Sequence, residues 1–229
     1  LARMPNLGKG EKIKIEFDKT LNPFLKLSIN GRQERFMLDF GYGGLISLTE
    51  KTAFSMQLKN ILKIEGEGNI SANGVVKETT YIASLEKLVI GKSNLKNKVA
   101  YYSKSNNYNL LGSELTKYFI VTLNFKDKEL ILTPYSENES SFETFGFSIN
   151  LDSNKIYVSK IFDGLSAQKV GLLLNDEIIG INGKQLSGFS NCDRYFNVNN
   201  FLKTEKEILL QVKRGEKQMD FRIVKQKPF

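Results

Sequence analysis

Residues 12–17 alternate polar and apolar (Lys12, Ile13, Lys14, Ile15, Glu16, Phe17), the period of two that half-buries a strand. Residues 24–29 repeat the alternation. Asn30-Gly31 then supplies a strong short-hairpin signal, and residues 35–38 form the returning strand. That arm ends on Asp39, and Gly41-Tyr42-Gly43-Gly44 leads into a second apolar run. Residues 47–56 predict a short helix with Ser47 as N-cap and Glu50 three residues on. Residues 66–76, with Gly66, Gly68 and Gly74, predict a second hairpin carrying little side-chain anchorage. Residues 84–91 and 95–101 are further strands. A short helix follows Gly112, capped by Ser113 and turning Leu115, Tyr118 and Phe119 inward. Residues 120–125 and 129–133 close the series as a hairpin, and Pro134 ends it.

Residues 135–145 are polar and rich in Ser and Glu, the composition of a domain boundary. Beyond it, strands are predicted over residues 145–149, 155–161 and 176–181, with a short helix over 166–172 between the last two. A helix over 195–203 and two strands, 207–212 and 219–224, complete the chain. The expected organisation is a lead-in over 1–10, a first domain over 11–134, a linker over 135–145 and a second domain over 146–229.

Composition narrows the chemistry. A hydrophobic content of 41% and a charged content of 25% over 229 residues fit a globular protein of one or two domains. No apolar run approaches the roughly 18 residues that cross a bilayer. Leu1 in place of an initiator Met is expected either of a processed product or of a cut piece of a longer chain, and any exported leader would have been lost in either case. There is no histidine, which removes Ser-His and Cys-His nucleophiles, histidine metal sites and imidazole acid-base chemistry. Cys192 is the single cysteine, so neither an intrachain disulfide nor a Cys-x-x-Cys metal site can form. No metal and no cofactor is expected. The net charge of +8 lies mostly before residue 139, on lysines scattered singly among strands. That is a solvated surface, and no nucleic-acid partner is expected. Carboxylates, hydroxyls and lysines remain for catalysis. Gly41-Tyr42-Gly43-Gly44 lacks the spacing of a dinucleotide loop. Asp39-Phe40-Gly41 spells a kinase metal motif, but its His-Arg-Asp partner cannot exist here.

A lone Asp at the end of a buried strand is costly, because desolvation disfavours its charge. Either a structural loop cap or an active-site acid accounts for Asp39. Four features in order favour the second: Phe36-Met37-Leu38-Asp39-x-Gly41, the 66–76 arm, Leu110-Leu111-Gly112, and the run from Tyr118 to Pro134. Residues 11–134 thereby resemble one lobe of a retropepsin-like aspartic protease. The resemblance implies that Asp39 is a catalytic carboxylate and Gly41 its loop glycine. It makes Asn69, Ile70, Ser71, Ala72, Asn73 and Gly74 a substrate-covering flap, and places Leu110-Leu111-Gly112 beneath the Asp loop. The chain departs from the family at Phe40, where a Thr or Ser hydroxyl ordinarily bridges the two acid loops. Tyr42 also replaces a small residue and is expected to crowd the loop.

Phe145-Gly146-Phe147-Ser148, Ala167-x-x-x-Gly171-Leu172 and Ile181-Asn182-Gly183 follow in order, and residues 139–227 resemble a bacterial-type PDZ domain. That resemblance implies a carboxylate-binding loop at Phe145, Gly146, Phe147 and Ser148, and a peptide added as a strand beside the second helix. The expected fold class is mainly β: a pepsin/retropepsin-like β-barrel lobe plus a PDZ-like β-sandwich or barrel with two short helices.

Aspartic peptidases need two facing carboxylates that share one proton. Only one Asp-x-Gly loop is present, so the second acid must come from an upstream lobe or a homodimer mate. The implied function is an aspartic endopeptidase with a PDZ domain binding peptide or protein C-termini. The alternative is a catalytically impaired pseudoprotease that binds peptide without cutting, on account of Phe40. The family resemblance implies export to a bacterial envelope or periplasm; otherwise the chain is cytoplasmic.

Overall fold

The computed structural model describes residues 10–71, 74–135, 141–152 and 155–229. The chain is mainly β. Strands β1 (Glu11–Lys14), β2 (Glu16–Phe17), β3 (Pro23–Ile29), β4 (Arg32–Leu38) and β5 (Ile46–Thr49) lead into helix α1 (Glu50–Ser55). Then come β6 (Ile61–Ser71), β7 (Gly74–Lys77), β8 (Thr80–Leu85), β9 (Leu88–Ile90), β10 (Ser93–Leu95), β11 (Lys98–Ser103) and β12 (Leu110–Leu111). A 3-10 turn (Ser113–Lys117), β13 (Phe119–Asn124) and β14 (Glu129–Pro134) follow. The remainder is β15 (Phe147–Asp152), β16 (Lys155–Phe162), α2 (Ser166–Lys169), β17 (Glu177–Ile181), β18 (Lys184–Gln185), α3 (Asn191–Thr204), β19 (Glu207–Arg214) and β20 (Lys217–Val224). Two compact units result: residues 1–61 with 82–141, and residues 62–81 with 142–229.

In the first unit the β3–β4 hairpin turns on Asn30 and Gly31, both at positive φ (50° and 83°), as the Asn-Gly pair requires of a two-residue turn. Its inward positions are apolar, and Phe36, Ile29 and Leu27 are buried. Ser47 does not cap α1. It lies buried inside β5, where the Asn106 amide donates to its hydroxyl at 3.0 Å, and Thr49 caps the helix by accepting from the Thr52 amide. The parallel pairing of β5 with β11 directs Ser47 inward, and that pairing joins residues far apart in sequence. The segment after Gly112 is a 3-10 turn, with Leu115, Tyr118 and Phe119 buried as expected, but Ser113 donates its hydroxyl elsewhere and gives no cap.

The second unit packs Phe145, Phe147, Val158, Ile178, Val198, Leu210 and Ile223 into one core. β15 and β16 pair antiparallel, β17 joins β19, and β19–β20 is a long hairpin. The helix expected over 195–203 is longer, beginning after Ser190, whose hydroxyl accepts from the Asp193 amide. Asp176 is buried and forked by Arg214, with Nε–Oδ1 at 2.7 Å and Nη2–Oδ2 at 2.6 Å, which ties β19 to the loop before β17. Residues 62–81 belong to this unit, and β6 lies against the edge of β16 with Ile64, Glu65 and Gly66 opposite Phe162, Ile161 and Lys160.

Candidate functional site

The Asp39 loop is built on three strands that meet through two residues. Leu110 and Leu111 pair in parallel with Met37 and Leu38 on β4 and antiparallel with Ser47 and Ile46 on β5. Both neighbours of the loop are thereby fixed by one short strand. Leu111 and Ile46 are fully buried, and each such side chain contributes about 1.5–3 kcal/mol on leaving water. The Asp39 amide donates to the Leu111 carbonyl at 3.0 Å, and the Gly112 amide donates to the Leu45 carbonyl at 3.0 Å.

Within the loop the Gly41 amide donates to Asp39 Oδ1 at 2.9 Å and the Tyr42 amide to the Asp39 carbonyl at 3.1 Å. Asp39 is half-buried, and among the described residues no Lys or Arg forms an ion pair with it. A carboxylate that one backbone amide orients and no cation neutralises is suited to proton exchange with a ligand or a second acid. The residues expected to perform chemistry here, Asp39 and Gly41, are thus brought together by the loop itself.

Phe40 and Tyr42 relieve the expected crowding by going opposite ways. The Phe40 ring is 38% exposed and stays out of the packed interior. Tyr42 folds back, and its phenol donates to the Ile46 carbonyl at 3.3 Å. Burial pushes the Tyr42 phenol far above its usual range, with Tyr101 and Glu114 adding to the effect, and Tyr101 is raised for the same first reason. The Tyr42 carbonyl accepts from both the Ser113 amide (2.8 Å) and the Ser113 hydroxyl (3.0 Å). Gly112 permits this contact, since a Cβ there would stand 2.2 Å from the Gly44 carbonyl oxygen and 2.5 Å from that of Tyr42. Tyr42 and Ser113 are the loop-holding residues that sequence reasoning missed. Glycines on both sides, at 44 and 112, are the signal of close approach that points to them.

Of the expected flap, Ala72 and Asn73 lie outside the described residues. Asn69, Ile70, Ser71 and Gly74 lie on the hairpin of β6 and β7, with Ile70 opposite Val75 and Ser71 opposite Gly74. This hairpin groups with the second unit.

In the second unit Phe145 and Gly146 form the turn into β15, and Phe147 and Ser148 are the first residues of that strand. Gly146 adopts φ +88°, and its Cβ would meet the Leu165 Cβ at 2.7 Å. Its carbonyl accepts from the Phe162 amide at 2.9 Å, the Phe145 carbonyl accepts from the Ala167 amide at 3.2 Å, and the Gly146 amide donates to the Thr144 hydroxyl at 3.1 Å. A ligand carboxylate at this turn would compete with Thr144 for that amide. Among the described residues β15 pairs with β16 alone, so its second edge is open. Among them also, no group of three or more His, Cys, Asp or Glu could hold a metal, and no helix is long and apolar enough to cross a membrane.

Residues 136–213 match the PDZ domain family. The carboxy-terminal processing protease CtpB of Bacillus subtilis is 29% identical over 99 residues, 43% of this chain, and the match spans 21% of that relative's length. A retropepsin-like aspartic protease from Rickettsia conorii matches with 22% identity over 54% of this chain and 90% of its own, at a TM-score of 0.39. The HtrA3 PDZ domain bound to a phage-derived ligand matches with 22% identity over 37% of this chain and 86% of its own, at a TM-score of 0.31. The chain is mainly β, and its residues 136–213 are those that match the PDZ domain family.

Proposed function

We propose that this chain supplies one lobe of an aspartic endopeptidase, with Asp39 as one of the two acids, joined to a PDZ-like unit that takes peptide or protein C-termini. The observation that carries the reading is Asp39 itself: it ends a strand fixed on both sides, Oδ1 receives the Gly41 amide, and no cation pairs with it among the described residues. In the reaction, one acid of the pair holds the shared proton and gives it to the scissile carbonyl oxygen. The other takes a proton from the attacking water. The second acid comes from another lobe, upstream or in a homodimer mate. Organisation into a lobe over 11–134, a linker over 135–145 and a PDZ-like domain over 146–229, and export to a bacterial envelope, belong to the same reading.

Phe40 favours a second reading, a lobe that holds peptide without cutting it. Its exposed ring has no hydroxyl to bridge two acid loops, and about 1 Å of misplacement can remove on the order of a hundredfold in rate. The two readings separate on one variant. Peptidase action requires cleavage at acid pH that Asp39→Asn abolishes. The binding reading requires peptide capture, without cleavage, that Asp39→Asn leaves intact.

A further inference from the structure

The β6–β7 hairpin is held by the sheet that bears the open edge. β6 adds to β16 as a strand, and beside the pairing Asp163 donates its amide to the Lys63 carbonyl at 2.9 Å; within the hairpin Glu78 donates its amide to the Gly66 carbonyl at 3.2 Å. Gly66 makes this approach possible. It adopts φ +129°, and a Cβ on it would stand 2.1 Å from the Ser159 carbonyl oxygen. One residue farther on, the Glu67 carboxylate reaches across two strands at once. Tyr157 on β16 donates its hydroxyl to Oε1 at 2.6 Å, and Asn150 on β15 donates its amide to Oε2 at 2.8 Å. Asn150 and Tyr157 are opposite each other in the ladder, just beyond a register shift at Ser148 and Ile149. Burial lowers the Lys160 ammonium, while Glu67 and Glu78 oppose that effect, so the underside of the arm carries an electrostatic tie as well.

From this arrangement we infer that the PDZ-like unit sets the position of the β6–β7 arm, and that a peptide carboxyl terminus taken up on the open edge of β15 is communicated to the arm through Glu67. The inference rests on the proposed peptide groove. A peptide strand would hydrogen-bond to β15, the strand that carries Asn150, and would lie in one sheet with β15, β16 and β6. A peptide strand on β15 stabilises the existing Asn150–Tyr157 spacing, on which the two-point grip on Glu67 depends. Uptake of peptide therefore tightens the arm, and the coupling is reciprocal: loosening the arm weakens the peptide.

The test uses the full chain, with pentapeptides ending in a free-carboxylate Val, Leu or Phe as probes and their amidated forms as controls. Calorimetry reads affinity, and amide hydrogen exchange reads the arm. Saturating peptide is expected to slow exchange at residues 64–67 at least about fivefold, the lower end of ordinary coupling between sites. In Glu67→Ala that slowing is lost and the peptide binds at least about fivefold more weakly, while Glu67→Gln, which keeps an acceptor, retains part of both effects. Binding of peptide with unchanged exchange at residues 64–67, or with the same slowing in Glu67→Ala, overturns the coupling and leaves the groove standing. Failure of every free-carboxylate peptide to bind overturns the groove and the coupling with it.

Discussion

Gly112 lies so close to Gly44 that a methyl group on it would stand 2.2 Å from the Gly44 carbonyl oxygen. This close approach is one of the contacts that fix the Asp39 loop. It lets Ser113 reach the Tyr42 carbonyl and lets β12 insert between β4 and β5. Gly112→Ala is expected to destabilise the first unit by about 1–3 kcal/mol, the usual cost of forcing atoms into a packed site. Gly43→Ala, where a Cβ meets nothing within 4 Å, is the neutral control. Denaturant unfolding of both variants measures the difference.

The second unit has its own glycine of this kind. Gly146 combines positive φ with a close approach to Leu165, so Gly146→Ala is strained on both counts. It is expected to cost at least about 1 kcal/mol and to remove binding of free-carboxylate peptides, read by calorimetry on the variant once shown folded by circular dichroism.

Asp176 is buried and its carboxylate is satisfied by Arg214 and by the Leu173 amide. Removing its charge leaves the partly exposed Arg214 guanidinium with the Gly171 carbonyl. Asp176→Asn is expected to destabilise the second unit by about 1–3 kcal/mol, the cost of weakening hydrogen bonds to a buried charged group, and to lower the denaturant midpoint accordingly. Arg222→Ala, which breaks a pair between exposed side chains, is expected to leave the midpoint almost unchanged.

Much of this was legible along the chain, and the misses share a cause. The Asn30-Gly31 hairpin, the Asp39 loop and the inward set Leu115, Tyr118 and Phe119 rest on local periodicity and turn chemistry, which neighbouring residues decide among themselves. Ser47 was misread as a cap because its fate depends on Asn106, 59 residues away, and a strand-end Ser looks the same either way. Tyr42 could be read only as crowding, since the sequence does not say that its ring turns back toward Ile46. The docking of Glu67 on Tyr157 spans 90 residues and leaves no local trace. The glycine at 66 reads in sequence as scant side-chain anchorage, whereas its structural use is to bring two backbones together.

Tyr157 gives a pH signature. Burial first, and its hydrogen bond to Glu67 second, push its phenol up to about 12. An ordinary tyrosine titrates near 10. A folded value above the unfolded one means that the stabilisation is complete below pH 10 and is lost as pH rises through about 12. Absorbance at 295 nm is expected to show one fewer late-titrating phenol in Tyr157→Phe, with those of Tyr42 and Tyr101 remaining, and Glu67→Gln is expected to shift the Tyr157 phenol toward 10.

The central claim is that Asp39 is one of two acids sharing a proton. The pH dependence of kcat/KM for cleavage of an unstructured peptide, with and without Asp39→Asn, tests it most directly. A bell-shaped profile with an acid optimum is expected, as two coupled carboxylates give, with a loss of at least about a thousandfold in the variant, since Asp39-Phe40-Gly41 is the single Asp-x-Gly of the sequence. Cleavage by Asp39→Asn at the wild-type rate, or no cleavage by the wild type at any pH with its partner lobe present, would contradict it.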